Sequence, residues 1–62
     1  MTDPSEDRYR QLRHDISNTL SAILAETQLL LLRAEALDDE TVSSLKEIEA
    51  LSRRMREILQ RN

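Results

Sequence analysis

Apolar residues recur along the first half of the chain at Tyr9, Leu12, Ile16, Leu20, Ile23, Leu24, Leu30, Leu31, Ala34 and Leu37. The steps are mostly three and four, the signature of one face of a helix, with Thr27 the weak point in the series. At about 100° per residue, Leu12, Ile16, Leu20 and Ile23 fall within about 80° of one another. A second series of the same spacing runs through Val42, Leu45, Ile48, Leu51, Met55, Ile58 and Leu59. Between the two lies Leu37-Asp38-Asp39-Glu40, which breaks the pattern. The periodicity predicts a first helix over about 4–36, a turn at about 37–39 and a second helix over about 39–60.

The ends of these segments carry starting signals. Asp3 can cap the first helix, Pro4 suits a position whose N–H has no helical partner, and Glu6 stands where a capping box places an acid. Asp38 is an N-cap for the second helix, and Asp39 and Glu40 favour the positive end of its dipole. Leu37 and Val42 occupy the two positions of a hydrophobic staple. Two helices with so short a connection pack antiparallel.

Leu29-Leu30-Leu31-Leu32 covers nearly the whole circumference of a helix. That suits a helix covered on several sides, and Leu29 and Leu32 are expected beneath the second helix or a dimer mate. A chain of 62 residues is also marginal alone, and the usual remedies are disulfides, a metal or self-association. With no cysteine, disulfides and thiolate metal sites are excluded, and a lone histidine argues against zinc, which leaves self-association. The expected architecture is therefore all-α: a single domain over 1–62, an antiparallel hairpin that homodimerises into a four-helix bundle.

Composition agrees with helices packed on helices: 39% hydrophobic, 34% charged, no glycine, one proline and one aromatic residue. A net charge of -3 gives no footprint for nucleic acid. Arg53, Arg54 and Arg56 read instead as part of a salt-bridged surface, with Lys46, Glu49, Arg53, Glu57 and Arg61 as a ladder of opposite charges on the second helix. The longest apolar run is four leucines, far short of a membrane span, and no signal peptide is visible. A cytoplasmic protein without direct membrane contact is expected.

The chemistry gathers around His14. It points about 150° from the middle of the first apolar stripe, so it stands on the wet side of its helix. Its successor Asp15 can accept a proton from one imidazole nitrogen and leave the other with a nucleophilic lone pair. Asn18 follows one turn later, about 40° away, within reach of a water or a phosphoryl oxygen. Ser17, Ser21, Ala25 and Gln28 lie near the same side. Two readings stand for them: a bed for a partner helix, or ordinary helix surface.

Leu12-Arg13-His14-Asp15-Ile16-Ser17-Asn18-Thr19-Leu20, at the start of a two-helix hairpin, resembles the dimerisation and histidine-phosphotransfer domain of bacterial sensor histidine kinases. The resemblance spans about Tyr9 to Leu59. It implies that His14 attacks the γ-phosphoryl of ATP and passes it to an aspartate of a response-regulator receiver domain. Asp15 would orient and activate the imidazole, and Asn18 would position the water that dephosphorylates the receiver. Many members carry proline five residues after the histidine. Thr19 stands there instead, which puts the associated helical bend in doubt.

No glycine is present to build a phosphate loop, so a nucleotide site of the family's kind is not expected within these residues. The resemblance then implies the substrate half of a kinase, an excised fragment holding no cofactor and inactive alone. ATP and Mg²⁺ would come with an ATP-binding catalytic domain, following Arg61 or on another chain. The competing reading is a structural hairpin for dimerisation or scaffolding, with His14 incidental. A standalone phosphorelay protein ranks last, because such proteins need a larger bundle.

Overall fold

The computed structural model describes residues 3–61. Two helices, α1 (Pro4–Leu31) and α2 (Asp39–Arg61), pack against each other through a short connection. Their course is antiparallel: Arg13 near the start of α1 meets Leu59 near the end of α2, and Gln28 meets Glu49. No strand occurs among the described residues, and none of their helices is long and apolar enough to cross a membrane.

Both helix starts are capped by side chains. Asp3 Oδ1 accepts from the Ser5 amide at 3.0 Å, and Pro4 takes the first helical position. The bond goes to the second helical residue and not to Glu6, so the cap is a simple one. Glu6 contributes as an acid in the first turn, beside the positive end of the dipole. At the second start, Asp38 Oδ1 accepts from the Thr41 amide at 2.8 Å. Leu37 and Val42 are both half-buried, as a staple requires.

The end of α1 departs from the expected boundary near residue 36. The α-helix stops at Leu31, and Ala34–Ala36 form a single 3-10 turn. Helices often stop on a left-handed glycine, but this chain has none, and no described residue has positive φ. The carbonyls are satisfied by tightening instead. Leu30 O accepts from Arg33 N at 3.0 Å, Arg33 O from Ala36 N at 2.9 Å and Ala34 O from Leu37 N at 3.1 Å.

The seam between the helices uses only part of the apolar surface. On α1 its buried or half-buried residues are Arg13, Ile16, Ser17, Leu20, Leu24, Thr27 and Leu31. On α2 they are Val42, Leu45, Glu49, Ser52, Arg56 and Leu59, alternating by three and four. This is heptad spacing, and the middle of the α2 seam is polar. Glu49, placed by its sequence pattern on an outer ladder, is 27% exposed at its side chain and accepts from Gln28 Nε2 at 3.3 Å. Of the ladder, Glu49–Arg53 closes, at 3.6 Å.

A second heptad row lies beside the first and has nothing over it. Tyr9, Leu12, Ile23 and Leu30 on α1 and Ile48, Leu51, Met55 and Ile58 on α2 are all exposed. At 100° per residue Leu12, Ile23 and Leu30 sit about 85° from the seam on α1 and the α2 row about 110° from its own, in the senses that bring both to one side of an antiparallel pair; Tyr9 lies nearer the seam. An apolar groove lined by Leu20, Leu51, Met55 and Ile58 runs along that side. Leu29 is also exposed, and Leu32 is 83% exposed. The second helix therefore leaves both uncovered, contrary to one of the two covers expected for them, because they point away from the seam.

The dimensions follow from having one layer. The hairpin measures 54 × 16 × 11 Å, and its smallest extent is the diameter of a single helix. Its radius of gyration is 15.5 Å, against about 11 Å for a compact domain of this length. The surface, 5312 Å², is about 1,200 Å² larger than a compact monomer of 7.2 kDa presents. Among the described residues no side chain is fully enclosed.

Candidate functional site

His14 lies three turns into α1, where a continuous helix holds its backbone rigid. Its azimuth is about 100° from the α2 seam, on the side away from the exposed apolar row. The imidazole is accordingly 69% exposed, and Asp15 and Asn18 are exposed with it. The outward placement read from the helical angle is what the structure shows.

The three expected site residues are brought together unequally. His14 Nδ1 stands 3.9 Å from Asp15 Oδ1, outside hydrogen-bond range. The same Oδ1 accepts from Gln11 Nε2 at 2.9 Å. Gln11 thus holds the Asp15 carboxylate on the outer face of the helix. Asn18 follows His14 by one turn of the same helix and is exposed to solvent.

Two neighbours went unnoticed in the sequence. Gln11 is four residues before Asp15, a spacing at which amide and carboxylate meet on a helix, so its role was legible. Arg13 was not. Its guanidinium lies 5.9 Å from the centre of the Tyr9 ring and donates to the Leu59 carbonyl in the last turn of α2. An arginine within an apolar seam is unexpected from patterning, but the aliphatic stem packs while the head reaches unsatisfied carbonyls at a helix end.

Thr19, at the position where the resembled family often has proline, sits within unbroken α1. Its hydroxyl donates to Asp15 O at 2.9 Å, so a carbonyl of the site is bonded by a side chain one turn later. The side chains of Tyr9, Arg10, Arg13, His14, Ser17 and Leu59 line an open cleft of about 620 Å³ where the start of α1 meets the end of α2. Ser17 is half-buried there, so of the residues considered as a docking bed it belongs partly to the seam, and Gln28 is bonded to Glu49. Ser21 and Ala25 are open.

Chemically, the site offers one exposed imidazole with a carboxylate 3.9 Å from Nδ1. No group of three or more metal-ligating side chains is found among the described residues. No family model, no curated protein and no solved structure matches this chain.

Proposed function

We propose that this chain is the cytoplasmic dimerisation and phosphoacceptor domain of a sensor histidine kinase, assembled as a homodimeric four-helix bundle. The observation that supports the reading is the division of the hairpin into two sides. One side carries the uncovered apolar row Leu12, Ile23, Ile48, Leu51, Met55 and Ile58; the other carries an exposed His14 with Asp15 and Asn18. A standard interface removes about 800 Å² from each partner, and the hairpin's surplus of about 1,200 Å² exceeds it. A second copy over the apolar row leaves the imidazole free.

In the reaction, Nε2 of His14 attacks the γ-phosphorus of ATP presented by a separate catalytic domain. The P–N bond forms, the bond to the bridging oxygen breaks, ADP leaves, and Nδ1 releases its proton towards Asp15. The phosphoryl group then moves to a receiver-domain aspartate: its carboxylate oxygen attacks phosphorus, and the P–N bond breaks. Asn18, exposed one turn beyond His14, would position the water that hydrolyses the receiver's acyl phosphate.

The test supplies a kinase ATP-binding domain and labelled ATP in trans. Acid-labile, base-stable label on the wild type and none on His14→Gln is the expected result. No label where a control domain is labelled would favour the second reading, a dimerisation scaffold. That reading draws on the Gln11–Asp15 bond, which ties the carboxylate to an amide and not to the ring.

A further inference from the structure

Arg10 stands one turn before His14, on the same face of α1. Both side chains line the 620 Å³ cleft, and both line a second, smaller groove of about 250 Å³ with Gln11. Arg10 makes no ion pair or hydrogen bond among the described residues. Its neighbour Arg13 is committed to Leu59 and Tyr9. Glu6 and Tyr9 are the other ionisable groups in the cleft, and α2 contributes only Leu59 and Gln60, which carry no charge.

We propose that Arg10 binds the phosphoryl group carried by His14, its planar fork engaging two phosphoryl oxygens across the mouth of the cleft. The inference rests on the phosphoacceptor reading and names the cation that serves it. N-phosphorylation places a dianion on a ring that has the Asp15 carboxylate 3.9 Å from its Nδ1. That arrangement repels unless a cation faces the group. An arginine one turn away supplies the charge and two parallel donors, which a lysine cannot.

The test avoids any kinase. Potassium phosphoramidate phosphorylates exposed histidine directly: the ring lone pair attacks phosphorus, the P–N bond to ammonia breaks, and the other ring nitrogen loses its proton to water. The folded chain and its Arg10→Gln and Arg10→Lys variants are treated in this way, and the last phosphoryl ionisation is followed by phosphorus NMR. Both substitutions are good helix formers at an exposed position, so folding is retained.

The wild-type group is expected to lose its last proton about half a pH unit lower than in Arg10→Gln, with Arg10→Lys in between. Identical titrations in all three would overturn the assignment, as would failure of His14 to take up the group. A shifted titration together with no labelling by a kinase domain would uphold Arg10 as a phosphoryl ligand while removing the kinase reading.

Discussion

The guanidinium of Arg13 donates to the backbone carbonyl of Leu59, joining the residue next to the candidate phosphoacceptor to the last turn of α2. The carbonyls of a helix end have no partner within the helix, and the negative end of the dipole favours a cation there. Replacing Arg13 with Met keeps the packed stem and removes the bond. A loss of about 1 kcal/mol in stability is expected, with faster hydrogen exchange confined to the final turn of α2. Uniform loss across both helices would show that the residue acts through packing alone.

The uncovered apolar row predicts its own disruption. Leu51→Glu and Met55→Glu place charges on the side away from His14, at positions that α2 does not bury against α1. In sedimentation at micromolar concentration, the wild type is expected at about twice its 7.2 kDa mass and both variants at the single-chain mass, with reduced helical signal. A wild type that sediments as a folded monomer would refute the bundle.

Those two residues also mark where patterning stopped being informative. Val42, Leu45, Ile48, Leu51, Met55, Ile58 and Leu59 read as one wide apolar face. The structure divides them, giving Val42, Leu45 and Leu59 to the hairpin seam and leaving the others bare. Periodicity finds the stripe but does not say which edge of it meets the neighbouring helix. The seam's polar members, Glu49, Ser52 and Arg56, count against burial in any hydrophobic reading, although their long stems or small size allow it. The helix starts were legible because Asp3 and Asp38 cap through local chemistry. The end of α1 was not, since stopping at Leu31 depends on a 3-10 turn that no residue type announces. His14 was legible in direction, because azimuth on a helix follows from residue number alone.

The cap at Asp38 gives a dependence on pH. Hydrogen bonds from the Thr41 hydroxyl and then the Thr41 amide hold its carboxyl below the ordinary value of 3.8. The folded state therefore binds its proton less readily than the unfolded chain. The stabilisation is fully present above that ordinary value and is lost as pH falls through the lower folded-state value. Asp38→Ser retains a capping oxygen without a titrating charge. Its thermal midpoint is expected to fall less steeply than the wild type's on acidification below about pH 4, and parallel profiles would remove Asp38 as the cause.

Asn18 separates two half-reactions. It is exposed one turn beyond His14 and supports no packing, so Asn18→Ala should leave the fold and the labelling of His14 largely intact. Dephosphorylation of a receiver domain is expected to slow by at least tenfold, in line with losing one positioned hydrogen-bonding group. Equal loss of both activities would contradict a role confined to the water.

Thr19→Pro would restore the residue common in the resembled family and so tests whether this helix tolerates it. In the structure α1 runs unbroken through Thr19, whose hydroxyl donates to Asp15 O. Proline removes the amide donor to that carbonyl and the hydroxyl with it, and its ring crowds the same oxygen. In an ordinary helix interior this costs about 3 kcal/mol and kinks the axis. The bend would fall between His14 and Leu20, the first buried leucine of the seam. A marked fall in thermal midpoint, with altered labelling of His14, is the expected outcome. If Thr19→Pro is as stable as the wild type, the hairpin already accommodates a bend there, and the straightness of α1 is not what sets the orientation of the imidazole.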